Sequence, residues 1–174
     1  FTMRSRFTGA LTITPRHLHS HHAGLPAMHM RDMCARKPEP LAAFLARLKD
    51  EYVAFPPAHV YVHSFIGYDV LGRLIETRCG QAYTECVQKR LLAPLGMRQS
   101  GFDHSRGNRP LLAQHYWLDD AVAFSDVRDV PAAGLVSNVL ELGAFAQMLL
   151  AGGRYQGHAV LQPASVADML RPQN

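Results

Sequence analysis

The sequence predicts a mainly α-helical domain, because apolar residues recur at helical spacing in several stretches that carry start or stop signals. Residues 67–76 place apolar side chains at positions 70, 71, 74 and 75 with charges between them. Gly80 then stands where a left-handed residue closes a helix. The one β prediction is a short hairpin around Gln156 and Gly157.

The first two predicted helices begin at prolines. Thr14 supplies a hydroxyl cap and Pro15 the first helical position, and this helix should run through His21 before the Gly-Leu-Pro break at 24–26. Pro40 opens a second helix, whose core-facing stripe we expect to be Leu41, Phe44, Leu45 and Leu48.

A further helix follows Gly80, with Tyr83, Val87 and Leu91 at steps of four, and it must end near Ala93 because Pro94 comes next. Residues 98–131 hold scattered Gly, Pro, Asn, Asp and Ser, which predicts a long loop.

Two helices complete the chain. Ser137 or Asn138 caps the first, and Pro163 starts the second, which should extend through Met169. The stripe predicted to be buried on the first is Val139, Leu142, Phe145 and Leu149.

Composition favours one globular domain over residues 1–174, since 48% of them are apolar and 18% are charged. No apolar run is long enough to span a membrane, and the first residues lack the apolar core of a signal peptide. The net charge is +4, but the arginines are spread along the chain, so we expect no nucleic-acid partner.

The three cysteines form no CxxC pair, and their odd number argues against a disulfide framework. One bond with one spare thiol stays open as an alternative. Because Cys79 and Cys86 lie on either side of a helix break, we expect them to be buried thiols.

Three blocks of sequence carry a family resemblance. GYDVLGRLIE followed by LLAPLGMRQSGF, the segment ITPRHLHSHHAGLP, and the segment from AAGLVSN to SVADM resemble the β-lactamase-related serine hydrolases in the same order. That family includes class C β-lactamases, penicillin-binding carboxypeptidases and esterases. The resemblance implies the helical subdomain of the β-lactamase-like fold, with most of its antiparallel sheet missing, and no cofactor.

The family's nucleophile motif, Ser-x-x-Lys, does not occur in the sequence. A lysine one helical turn after the serine takes the hydroxyl proton in that mechanism, and none of the eight serines has one. We therefore expect a truncated relative with at most weak hydrolysis of small ester substrates.

The family's second motif, Tyr-x-Asn, should precede the helix that contains residues 67–76. Alignment on Gly72 puts His63 at the tyrosine position and Phe65 at the asparagine position. A two-residue slip would instead use Tyr61 and His63. The candidate catalytic residues are therefore Tyr61, His63 as a general base, and Ser64.

Two alternative functions remain. His19, His29, His63 and Met30 are soft or imidazole ligands that would suit copper, so a copper-dependent oxidase of phenols is one alternative. The other is a non-catalytic fragment whose uncovered helical face binds a second copy of the chain or another partner.

Overall fold

The computed structural model describes residues 3–8, 12–29, 39–102, 111–122 and 127–173. They form seven α-helices and two small antiparallel hairpins, so the mainly helical prediction is confirmed for this part of the chain. The chain divides into two compact units, residues 1–71 with 102–134, and residues 72–101 with 135–174.

The first unit contains helices α1 (Pro15–His19) and α2 (Leu41–Arg47), a 3-10 turn (Leu48–Asp50), and the start of α3 (Phe65–Cys79). Later in the chain it adds strands β1 (His115–Trp117) and β2 (Asp120–Val122) and the short helix α5 (Val130–Ala133). The long loop predicted over 98–131 was therefore wrong in part, because the described residues of this segment contain a hairpin and the start of a helix. Residues 103–110 and 123–126 lie outside the described residues.

The core of the first unit includes three of the four apolar positions predicted on the second helix, and the fourth, Leu41, is partly buried against it. Phe44, Leu45 and Leu48 of the second helical stretch are buried, together with Leu18 and Ile66. Gly24 has a φ of +71°, and a Cβ there would lie 2.0 Å from the Phe55 carbonyl oxygen. Only glycine fits this close approach, which joins the end of the α1 region to the segment before the candidate site.

The second unit contains the rest of α3, helix α4 (Tyr83–Val87) with a π-helical turn (Gln88–Leu92), and α6 (Val139–Leu150). Strands β3 (Arg154–Tyr155) and β4 (His158–Ala159) form the predicted hairpin, and α7 (Pro163–Leu170) follows. Gly80 closes α3 with a φ of +69°, as expected, and the Asn138 side chain caps α6 by accepting a bond from Glu141 N–H.

The buried thiols expected at Cys79 and Cys86 are a disulfide instead. Gly80 reverses the chain between α3 and α4, which brings the two Cα atoms to 6.3 Å, within the range a disulfide spans. The prediction failed because a spacing of seven residues across a helix break does not reveal the turn geometry.

The buried stripe predicted on α6 was also wrong. Val139 is 80% exposed and Leu142 48%, whereas Ala144 and Met148, one turn apart, are buried. Nearly every position of this helix is apolar, so more than one face satisfies the helical spacing.

Candidate active site

The candidate catalytic residues lie on the extended segment that enters α3. Tyr61 is 60% exposed and His63 is exposed, whereas Ser64 is buried. Their neighbours in the first unit are His21 and His22, just after α1, and Tyr68 on α3. We call His21, His22 and His63 the imidazole cluster.

Ser64 has a structural position at the start of α3. Its hydroxyl donates to the Pro26 carbonyl oxygen at 2.7 Å and accepts the Gly67 N–H at 3.1 Å, as a helix-capping side chain does. His63 and Ser64 point to opposite sides of the segment, one exposed and one buried, as expected for adjacent residues of an extended chain. The Ser64 hydroxyl is therefore engaged with the backbone and not with His63.

His63 lies beside His21, with ring centroids 4.7 Å apart, and beside Phe65 at 5.5 Å. Tyr61 packs edge-on against His21 and His22, at 5.6 and 5.7 Å. Three imidazoles and a phenol thus share one patch, and imidazole is the side chain best suited to act as a general base near neutral pH.

The protonation of His21 follows from its contacts. Its Nδ1 accepts the Ser64 N–H at 3.1 Å, so the neutral ring carries its proton on Nε2. Burial lowers the pKa of His21, and the neighbouring His63 and His22 lower it further. His21 is therefore neutral at pH 7.

The four predicted metal ligands do not form a site in the described residues. There, no group of three His, Cys, Asp or Glu side chains could hold a metal ion. The His19 ring faces Tyr68 edge-on at 6.2 Å, and His29 packs against Phe44 with its Nε2 3.8 Å from Glu51. Met30 lies outside the described residues.

The hydrogen bonds within the imidazole cluster explain why the neighbours of His63 do not complete a metal site with it. His21 uses the lone pair of Nδ1 on Ser64 N–H, and its Nε2 then carries a proton, so neither nitrogen is available to a metal. His22 Nδ1 donates to the Ser20 carbonyl oxygen, which leaves only its Nε2. The copper site predicted from the sequence is not supported.

A buried ionic cluster in the first unit was missed by the sequence analysis. The Arg128 guanidinium lies 3.6 Å over the Phe44 ring, bonds both carboxylate oxygens of Asp129, and donates to the His29 carbonyl oxygen. Asp69 on α3 is fully buried beside Asp129 and Arg128. Burial raises the pKa of Asp69 to about 8, the Asp129 carboxylate adds to the rise, and Arg128 opposes it.

One signal in the sequence pointed to Asp69. It lies three residues after the buried Ile66 and therefore on the same helix face, where a carboxylate requires a partner. Its partners come from residues about sixty positions later, so spacing alone does not identify them.

Comparison with known proteins agrees with the sequence blocks. The beta-lactamase family model matches residues 6–174. The chain belongs to the beta-lactamase family. It is 34% identical over 91 residues to penicillin-binding protein 4 of Amycolatopsis lactamdurans, a match that covers 52% of this chain and 24% of that protein.

Solved structures share this β-lactamase-like fold. D-amino acid amidase from Ochrobactrum anthropi SV3 matches with a TM-score of 0.72 and 24% identity, over 87% of this chain and 46% of that one. The octameric penicillin-binding protein homologue from Pyrococcus abyssi matches with a TM-score of 0.71 and 22% identity, over 92% and 39%. The chain thus spans about a quarter of the penicillin-binding protein and less than half of each structure.

Proposed function

We propose that this chain is a helical portion of a β-lactamase-related serine hydrolase, and that by itself it hydrolyses activated esters at most weakly. The observation that carries the proposal is a family match over residues 6–174 in a sequence without Ser-x-x-Lys. In this proposal the exposed His63 acts as a general base toward water, Tyr61 borders the substrate, and Ser64 holds the segment in place.

The engaged serine hydroxyls support this limit on activity. The Ser64 hydroxyl caps α3, and the buried Ser100 hydroxyl donates to Glu141 at 2.5 Å. A nucleophilic serine needs a base that takes its proton, and neither hydroxyl has a lysine or imidazole as its bonded partner. Activated esters require less of a catalyst than β-lactams, so they are the substrate class that fits.

We expect no acyl-enzyme between this chain and penicillins, because the family's nucleophile and lysine are not in the sequence. Intact-protein mass spectrometry after incubation with a penicillin tests this, with a class C β-lactamase as the positive control. A stoichiometric adduct on any serine of this chain would contradict the proposal.

Ester hydrolysis should depend on His63. We expect His63→Ala to slow release of p-nitrophenol from p-nitrophenyl acetate by about tenfold or less, below the 10²–10⁴-fold typical of a fully positioned base. His158→Ala removes another exposed histidine, on β4, and should leave the rate unchanged. Equal rates in the two variants and the native chain would exclude His63 as the base.

A second candidate function, self-association, is favoured by exposed apolar residues of the second unit. Val139, Leu140 and Leu150 of α6 are 80%, 83% and 87% exposed, and Met169 and Leu170 of α7 are also exposed. Neighbouring exposed apolar side chains such as Val139 and Leu140 are found at protein interfaces. We propose a second copy of the chain as the occupant, since symmetric homo-oligomers are the commonest assemblies.

Light scattering at micromolar concentration should then give a mass of at least two chains, above the 19.3 kDa of one. Val139→Lys with Leu140→Lys should shift the mass to one chain, because a charge cannot be buried unpaired in an interface. Leu118→Lys changes an 88% exposed leucine of the β1–β2 turn and serves as the matched control. A monomeric native chain would overturn this candidate.

A further inference from the structure

The position of His63 is fixed from both sides by a single residue, His21. The Val62 N–H donates to the His21 carbonyl oxygen at 2.9 Å, and the Ser64 N–H donates to His21 Nδ1 at 3.1 Å. His21 itself has a φ of +61°, an uncommon conformation for a residue with a side chain. One histidine thus holds the residues immediately before and after the proposed base.

The side-chain bond exists only while His21 is neutral. An imidazole nitrogen accepts a hydrogen bond through its lone pair, and protonation places a hydrogen on that lone pair. Nδ1 of a protonated His21 would then be a donor facing the Ser64 N–H, so a bond would become a repulsive contact. The backbone bond to Val62 does not depend on this proton.

The groups around His21 oppose its protonation. It faces His63 and Tyr61 from the 61–64 segment and Tyr68, 5.1 Å away, from α3, and His22 is its chain neighbour. Burial and the two imidazoles all lower its pKa. The contact with Ser64 is therefore present above about pH 6.5, the ordinary pKa of histidine, and is lost only as the pH falls through the lowered pKa of His21.

We propose that His21 is a positioning residue that holds the 61–64 segment at Ser64, and with it His63, while its ring is neutral, and that protonation of the ring breaks this one contact and loosens the segment there. This rests on the proposed function for its catalytic consequence, because His63 is the base there. The contact itself is a property of the fold and can be measured without any substrate. The device makes the segment sensitive to mildly acidic conditions.

The direct test is NMR of the ¹⁵N-labelled chain between pH 8 and pH 5. We expect His21 to have Nε2 protonated at pH 7.5, and the Ser64 amide resonance to move together with the His21 titration. His21→Asn supplies a side-chain oxygen that can accept the Ser64 N–H, tolerates a positive φ and does not titrate. In this variant the Ser64 amide should lose its pH dependence and keep its bonded position.

His21→Leu removes the acceptor, so the Ser64 amide should sit at its low-pH position already at pH 7.5. His158→Asn is the matched control on β4 and should titrate like the native chain. A Ser64 amide that is independent of pH in the native chain, or an Asn variant that behaves like the Leu variant, would overturn the proposal. If the Leu variant does not fold, the pH dependence of the Ser64 amide in the native chain and in the Asn variant still tests the proposal.

Ester hydrolysis provides the second measurement. If the His21 contact positions His63, the rate of ester hydrolysis by the native chain should fall over the same pH range in which the Ser64 amide resonance moves. Asparagine does not titrate, so the part of the fall that coincides with the Ser64 amide should disappear in His21→Asn. A pH dependence of the rate that His21→Asn leaves unchanged, with an intact NMR contact, would refute the catalytic part alone. A rate that does not depend on His63 at all would refute the proposed function and leave the contact standing.

Discussion

Replacement of Arg128 by methionine should lower the free energy of unfolding by about 3–5 kcal/mol, as is typical when one partner of a buried ion pair is removed. The Arg128 side chain is fully buried and bonds both carboxylate oxygens of Asp129, itself 0% exposed. Methionine keeps much of the volume against Phe44, so the loss would come from the carboxylate left without its cation. Urea unfolding at pH 7 measures the difference.

Two further variants separate charge from packing. Arg4→Ala breaks an exposed pair with Asp50 and should cost about 1 kcal/mol or less. Arg128→Met combined with Asp129→Asn removes the uncompensated charge, so it should recover part of the stability lost in Arg128→Met. A double variant no more stable than the single one would show that lost packing, and not the isolated carboxylate, is the cause.

The local elements of this fold were predictable because they depend on signals near in sequence. Thr14 and Pro15 start α1, Gly80 closes α3 and Pro163 starts α7, each by a backbone or capping preference that acts within one turn. The face of α6 was not predictable, since a helix that is apolar nearly all round has no polar side to mark solvent.

The candidate site likewise combines features that local sequence predicts with features that depend on distant contacts. The spacing before α3 gives His63 and Ser64 as candidates, and the alternation of an extended chain predicts that their side chains point apart, in agreement with an exposed His63 and a buried Ser64. The role of His21 depends on a bond between residues 43 positions apart, which no local pattern encodes. Its left-handed backbone and the acceptor role of Nδ1 became evident only from the structure.

The buried ionic cluster was missed for a related reason. Arg128 and Asp129 are adjacent in sequence and resemble an ordinary charged loop, whereas in the fold they close over Phe44 and approach α3. Burial of charge depends on which distant segments meet, and long-range contacts decide it. A lone aspartate on an apolar helix face is the sequence feature that indicates such a cluster.

Asp69→Asn should stabilise the chain at pH 7 by about 2–4 kcal/mol and have little effect at pH 4. The folded state holds the Asp69 proton up to a pKa of about 8, whereas the unfolded chain releases it near pH 4. The unfolded state is therefore favoured progressively as the pH rises from about 4 to 8, and the native free energy of unfolding should fall over that window. Asparagine matches the neutral acid in shape and cannot ionise, so it removes this loss.

Urea unfolding of the native chain and the Asp69→Asn variant at several pH values between 4 and 8 gives the test. The two curves should coincide near pH 4 and separate steadily as the pH rises, with the variant more stable. Asp50→Asn, an exposed aspartate of the same unit, is the matched control and should follow the native chain. An Asp69→Asn variant that is less stable than the native chain at pH 7 would mean that Asp69 is ionised there and that Arg128, not burial, determines its charge.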